Sequence, residues 1–186
     1  GVYDVRVEKC IFEGTDRGLR IKTRRGRGEK SVLDNIVFEN ILMKDVCMPF
    51  TANMFYFCDP DGHSDYVQNQ DKMEVNEKTP KIGKIEARDI RCENVKNIFA
   101  CLYGLPEMPI EEIKLENITL NFDKNENIKP VVPIMMDNFP AMCKRGIFAK
   151  NIKKLILKNI EITGSKDSNP FMENIEDCEC IEVKFN

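Results

Sequence analysis

Tryptophan is absent from the 186 residues, and His63 is the only histidine. Phenylalanine outnumbers tyrosine 11 to 4, which points to apolar rather than wet aromatic packing. No apolar run approaches the 18 or so residues that a membrane-spanning helix needs, so no membrane partner is expected. No Cys-x-x-Cys occurs among Cys10, Cys47, Cys58, Cys92, Cys101, Cys143, Cys178 and Cys180. That removes the common zinc-ligand and redox spacings. The one close pair, Cys178-x-Cys180, puts two thiols on one face of a strand, with no histidine nearby to complete a metal site. The cysteines therefore read as reduced, mostly buried thiols acting as small apolar side chains, and no metal or cofactor is expected. Such usage favours a reducing, cytoplasmic compartment. A secreted origin stays open, because any leader would precede "GVYDVRVEKC", which already reads as strand.

What is present suffices for a core: 42% of the residues are hydrophobic and 32% charged, with a net charge of −3. The length fits one domain over residues 1–186, or a piece of a larger one. A repeat decides the architecture. "DVRVEKCIF", "NIVFENILM", "KIEARDIRC", "EIKLENITL" and "KLILKNIEI" share the order apolar, x, apolar, two polar, apolar, x, apolar. Their first apolar positions are Val5, Ile36, Ile85, Ile113 and Leu155, and a sixth, shortened copy, "CIEVKF", is placed at Ile181. Alternation of period two within each half means strand. The second polar position is Lys9, Asn40, Asp89, Asn117 or Asn159. Asn and Asp tolerate left-handed backbone angles, so each copy reads as a strand, a sharp bend and a second strand.

The copies are spaced 31, 49, 28, 42 and 26 residues apart. The short spacings fit one turn of a solenoid. The long ones fit a turn plus an outward loop, near 57–80 and 137–150. The pattern predicts an all-β, right-handed parallel β-helix of about five to six coils. A leucine-rich repeat is the competing solenoid, but it needs a helical return arm and abundant leucine.

The charged residues are uneven. Asp16 to Lys30 holds seven cations (Arg17, Arg20, Lys22, Arg24, Arg25, Arg27, Lys30) against Asp16 and Glu29. In "GLRIKTRRGRG", Arg20 and Lys22 are two apart and share an outer strand face, while Ile21 points inward. A forked guanidinium beside an ammonium suits one carboxylate. Arg24, Arg25 and Arg27 lie in a Gly-punctuated turn and could either meet further anions or be solvated. A nucleic-acid partner is not expected, since no basic stripe or stacking aromatics recur elsewhere.

On a β-helix, "GTDRGLRIKTRRGRG" resembles the Arg-Ile-Lys motif of the polygalacturonases, glycoside hydrolase family 28. The flanks "VLDNIVFENILMKDV", "MFYFCDPDG" and "YGLPEMPIEEIKLENI" are similar to bacterial members. The resemblance covers the chain but only the family's C-terminal half. It implies inverting hydrolysis of α-1,4-galacturonate chains in the whole enzyme, with two carboxyls straddling the bond. The family's Asn-Thr-Asp, Gly-Asp-Asp and Gly-His-Gly segments lie upstream of Arg-Ile-Lys, and none occurs in this sequence. No catalytic residue is therefore assigned here, and the fragment alone is expected to be inactive. The resemblance implies substrate binding by Arg20, Lys22 and Tyr56, and an acidic polysaccharide or oligogalacturonide as partner. A non-catalytic pectate-binding module or a structural solenoid remains as an alternative.

Four other features are expected to be structural. Asp16 should pair with Arg17 or Arg20, His63 should be solvated, and "DPDGHSD" lacks the distal glutamate of a calcium loop. "LPEMP" reads as a rigid turn. Residues 2–12 are expected to present an unpaired sheet edge and so to support a homodimer.

Overall fold

The computed structural model describes all of residues 1–186. The elements in chain order are β1 (Val2–Glu8), β2 (Ile11–Glu13), β3 (Arg17–Lys22), β4 (Val32–Lys44), β5 (Met48–Asn53), α1 (Asp65–Gln68), β6 (Lys81–Ile82), β7 (Lys84–Val95), β8 (Ile98–Tyr103), β9 (Ile110–Phe122), β10 (Arg145–Thr163) and β11 (Phe171–Phe185). The single helix is four residues long, so the helical arms of a leucine-rich repeat are absent, and no helix is long and apolar enough to cross a membrane.

The strands pair in parallel. One wall runs β1–β4–β7–β9–β10–β11, and a second runs β3–β5–β8 onto the first part of β10. Together they form the six coils of a parallel β-helix. The register joins Val5, Ile36, Ile85, Ile113, Leu155 and Cys178 in one ladder. The sixth copy therefore begins at Cys178, not Ile181, and is full length, "CECIEVKF". Two cysteines at the ladder positions, and Ile181 where other copies carry a polar residue, disguised it. On the second wall Leu19, Phe50, Ala100 and Ile147 are stacked in the same way. Forty-one buried apolar residues form one contiguous cluster, so every coil shares a single core. Burying each Ile or Leu stabilises the fold by about 1.5–3 kcal/mol.

The bend works as its residue types require. Lys9, Asn40, Asp89, Asn117, Asn159 and Glu182 all have positive φ, between 51° and 55°. Each coil thus turns at the same register. Asparagine adds a second benefit, because its amide bridges coils: Asn117 Nδ2 donates to Asp89 Oδ1 and Asn159 Nδ2 to Asn117 Oδ1, both at 3.0 Å. Lysine and glutamate at this corner occur on the first and last coils, where a bridging amide could be served from one side only.

Of the eight free cysteines, Cys92, Cys101 and Cys143 are buried, Cys10 and Cys47 are half-buried, and Cys58, Cys178 and Cys180 are exposed. Burial pushes the Cys92 and Cys101 thiols well up. The expectation of mostly buried thiols holds for the inner coils and fails on β11 and in the loop after β5. The connection between β9 and β10 covers 123–144, so Arg145–Lys150, placed in a loop by sequence, is strand. The free edge of β1 and β2 exposes Val2, Tyr3 and Ile11.

A ladder of ion pairs crosses the coils beside the bend. Buried Glu39 accepts from Arg88, whose Nε lies 2.8 Å away, and from Arg6. Lys114 continues the row to Glu86 and Glu116, and Lys158 to Glu116. Arg88 and Arg6 hold the Glu39 carboxyl below the usual carboxylate range, and Lys114 does the same for Glu116. Folding therefore lowers these pKa values. Their stabilisation is complete above the unfolded value near 4.5 and is lost as pH falls through the depressed folded values. Urea midpoints are expected to drop steeply below about pH 4.5, and Glu39→Gln should flatten that slope while lowering the midpoint at pH 7. At the corner, Asn117→Val should cost about 2 kcal/mol in the same assay, and Asn117→Gly clearly less, because only valine is strained at φ 54°.

Candidate functional site

The basic stretch begins on β3, which alternates as its sequence demands. Leu19 and Ile21 enter the core, while Arg20 and Lys22 face out. Gly18 lets β3 seat closely on its neighbour, since a Cβ there would lie 2.7 Å from the Pro49 carbonyl oxygen. Arg20 stacks in register on Thr51, and Lys22 on Asn53. On the coils beyond, the same outward rows are roofed by the 123–144 connection. Asn53 Nδ2 donates to the Met135 carbonyl at 3.1 Å, and Thr51, Cys101 and Tyr103 are buried. The roof meets β3 only at its margin, through Pro133 at Arg17 and Met135 at Arg20, and Arg20 and Lys22 stay exposed.

Tyr56 completes the group. Its backbone N–H reaches the Thr23 carbonyl at 3.3 Å. Lys22 Nζ donates to Tyr56 Oη at 2.8 Å and lies 4.0 Å from the ring centroid, with the Arg20 guanidinium carbon 5.3 Å from the same centroid. Arg20 otherwise touches only the Met135 sulfur, at 3.0 Å. The structure thus brings Arg20, Lys22 and Tyr56 together, with the ring as the floor between two cations.

The other four arginines of the stretch are neutralised internally. Arg17 pairs with Asp16 and donates to the Pro133 carbonyl. Arg24 is buried and pairs with Asp59 at 2.9 Å and Asp61 at 2.6 Å, and Arg27 pairs with Asp59 at 2.5 Å. Arg25 is 1% exposed and makes a forked ion pair with Glu107, also 1% exposed, at 2.6 and 2.9 Å. It also donates to the Asn69 carbonyl at 2.5 Å. Neither reading offered for Arg24 and Arg25, further anions or solvent, is correct. Both are internal struts. Arg20 and Lys22 have no carboxylate partner, and neither does exposed Lys30 in the following turn.

This arrangement reassigns the acidic loop. Asp59 and Asp61 of "DPDG" are the counter-ions of Arg24 and Arg27, and Arg24 holds the Asp59 carboxyl below its usual range. "LPEMP" is more than a turn, because its Glu107 anchors Arg25. His63 is exposed, as expected, but not free. Its Nδ1 lies 2.8 Å from Asp137 Oδ1 and its ring stacks on Phe57 at 4.5 Å. The pairing of Arg25 with Glu107 spans 82 residues, and no local signal reports it.

A cleft of about 480 Å³ opens against this wall, lined by Lys22, Thr23, Arg27, Ser31, Tyr56 and Asp59 among others. That size is in the range of small-ligand sites. A shallow hollow adjoins it, lined by Arg20, Lys22, Tyr56, Met135 and Thr51. The Thr51 hydroxyl there is buried without a hydrogen-bond partner. The surface can hold an anion between two cations, and the one carboxylate that lines it, Asp59, is paired with Arg24 and Arg27.

The family model described as "Glycosyl hydrolases family 28" matches residues 1–132. An "Exopolygalacturonase clone GBGA483" of Arabidopsis thaliana is 29% identical over 150 residues, which is 76% of this chain and 31% of that protein. A "Probable polygalacturonase" of Vitis vinifera is 31% identical over 65% of this chain and 22% of its own length. An "Endo-polygalacturonase" of Pectobacterium carotovorum subsp. carotovorum is 28% identical over 70% of this chain and 28% of its own. The chain thus spans less than a third of the length of these relatives. No solved structure matches it.

The buried strut has a measurable weight. Glu107→Ala strands a guanidinium in the core and should cost about 3–5 kcal/mol. Arg25→Met combined with Glu107→Leu should recover most of that loss in urea or thermal unfolding.

Proposed function

The chain belongs to glycosyl hydrolases family 28, and from that premise we propose that it supplies the uronate-gripping wall of a pectin-degrading hydrolase. The observation that carries this reading is the selection among the cations. Arg20 and Lys22, side by side on β3, lack the carboxylate partners that neutralise Arg17, Arg24, Arg25 and Arg27. They flank Tyr56, Lys22 at the cleft and Arg20 at the adjoining hollow. A substrate carboxylate is the missing counter-ion. Arg20 offers it a two-pronged donor and Lys22 a compact charge, and Tyr56 holds both cations in place. The family's relatives named as polygalacturonases favour a galacturonate chain as the ligand.

Inverting hydrolysis requires a carboxylic acid at the leaving oxygen and a carboxylate that activates water from the opposite face. The carboxylates near the wall, Asp16, Asp59 and Asp61, are tied to Arg17, Arg24 and Arg27. They are held as ion pairs, and none is placed to shuttle a proton. Residues 1–186 therefore bind and orient, and the acid and base are supplied outside them.

Calorimetric titration with a trimer or tetramer of galacturonate tests the reading. The chain should bind it and ignore a neutral oligosaccharide of the same length. Arg20→Ala and Lys22→Ala should each weaken binding roughly 10- to 100-fold, the range of one charge-assisted hydrogen bond. Equal affinity in both variants overturns the assignment. The same polypeptide should release no reducing ends from polygalacturonate, and hydrolysis abolished by replacing an aspartate within 1–186 refutes the division of labour.

A further inference from the structure

The last coil holds three sulfur atoms that the carbohydrate site does not use. Met172 Sδ lies 3.5 Å from Cys178 Sγ, which lies 3.6 Å from Cys180 Sγ. Their positions follow from the coil. Met172 pairs in register with Ala149, Cys178 with Leu155 and Cys180 with Leu157. Those three partners are fully buried, so their register is that of the coil interior. Asn174, at φ 53°, turns the chain between Met172 and the cysteines, so the thioether approaches the thiols from a different wall. β11 pairs with β10 alone, and the three side chains are exposed along its open face.

We propose that Met172, Cys178 and Cys180 form a binding site for a soft monovalent d10 cation, copper(I). Two thiols and a thioether are the donor set that such an ion prefers over harder divalent metals. Three sulfurs around one metal at about 2.3 Å lie about 4.0 Å apart, so the present triangle need open by only a few tenths of an ångström along its two measured sides. The surroundings suit a cation. β11 carries Glu173, Glu176, Asp177, Glu179 and Glu182 against Lys184 alone. Binding forms two Cu–thiolate bonds and one Cu–thioether bond and releases the two thiol protons to solvent, with no change in oxidation state.

The site is independent of the galacturonate wall, and its test is too. The reduced chain, with all eight thiols counted, is titrated anaerobically with copper(I) against a chromophoric competitor such as bathocuproine disulfonate. One tight equivalent is expected. Cys178→Ser and Cys180→Ser should each weaken it at least 100-fold, and Met172→Leu about 10-fold. X-ray absorption should show sulfur-only coordination with three neighbours. The altered residues lie on an open face, and an unchanged thermal midpoint in the metal-free variants confirms that they fold. Wild-type affinity in both serine variants overturns the proposal. So does loss of the tight equivalent on Cys58→Ser, which places the copper at the other exposed thiol.

Discussion

A coil of this chain cannot bury its own apolar residues. Each strand finds its ladder partners in the coil before or after it, and each inward side chain stacks on its counterpart one coil away. Everything else follows from keeping that register. The corner must turn at the same place in every coil, which is why Lys9, Asn40, Asp89, Asn117, Asn159 and Glu182 share one left-handed geometry. The charges must also match from coil to coil. The row from Arg6 through Glu39, Arg88, Glu86, Lys114 and Glu116 to Lys158 alternates in sign across five coils. One slipped residue would turn the ladder inside out and set like charges against each other.

The same stacking produces the functional surface. Connections between coils are free to grow, and the two long ones fold back over the outward rows of the second wall. The one after β9 roofs Thr51, Cys101 and Tyr103. The one after β5 brings Asp59, Asp61 and the backbone carbonyls that hold Arg24, Arg25 and Arg27. On β3 this leaves little unsatisfied: Arg20, Lys22 and the face between them. The local charge excess is thus mostly scaffolding. Its four paired arginines fix the loops whose position leaves Arg20 and Lys22 open to solvent on β3, with Lys30 the third unpaired cation in the turn beyond.

The repeat, its strand character and its bend were legible because they are encoded locally. Period-two alternation, broken at a constant offset that asparagine fills in three of the copies, carries the fold within about nine residues. Legibility failed where the local rule was satisfied by an unusual residue, as at Cys178 and Cys180, where sulfur occupies ladder positions that leucine holds one coil earlier. It also failed wherever a charge chose its partner across the fold. "DPDG" reads only as a structural loop until Arg24 and Arg27 are seen on its carboxylates. Nothing near Glu107 announces a buried arginine.

The sequence by itself determined the architecture, the direction in which Arg20, Ile21 and Lys22 point, and the family likeness, because each depends on spacing within a few residues. Only the tertiary structure decided which cations are free. An ion pair is set by the distance between side chains, and here the partners of Arg24, Arg25 and Arg27 stand 32 to 82 residues away on loops that the stacking alone brings over them.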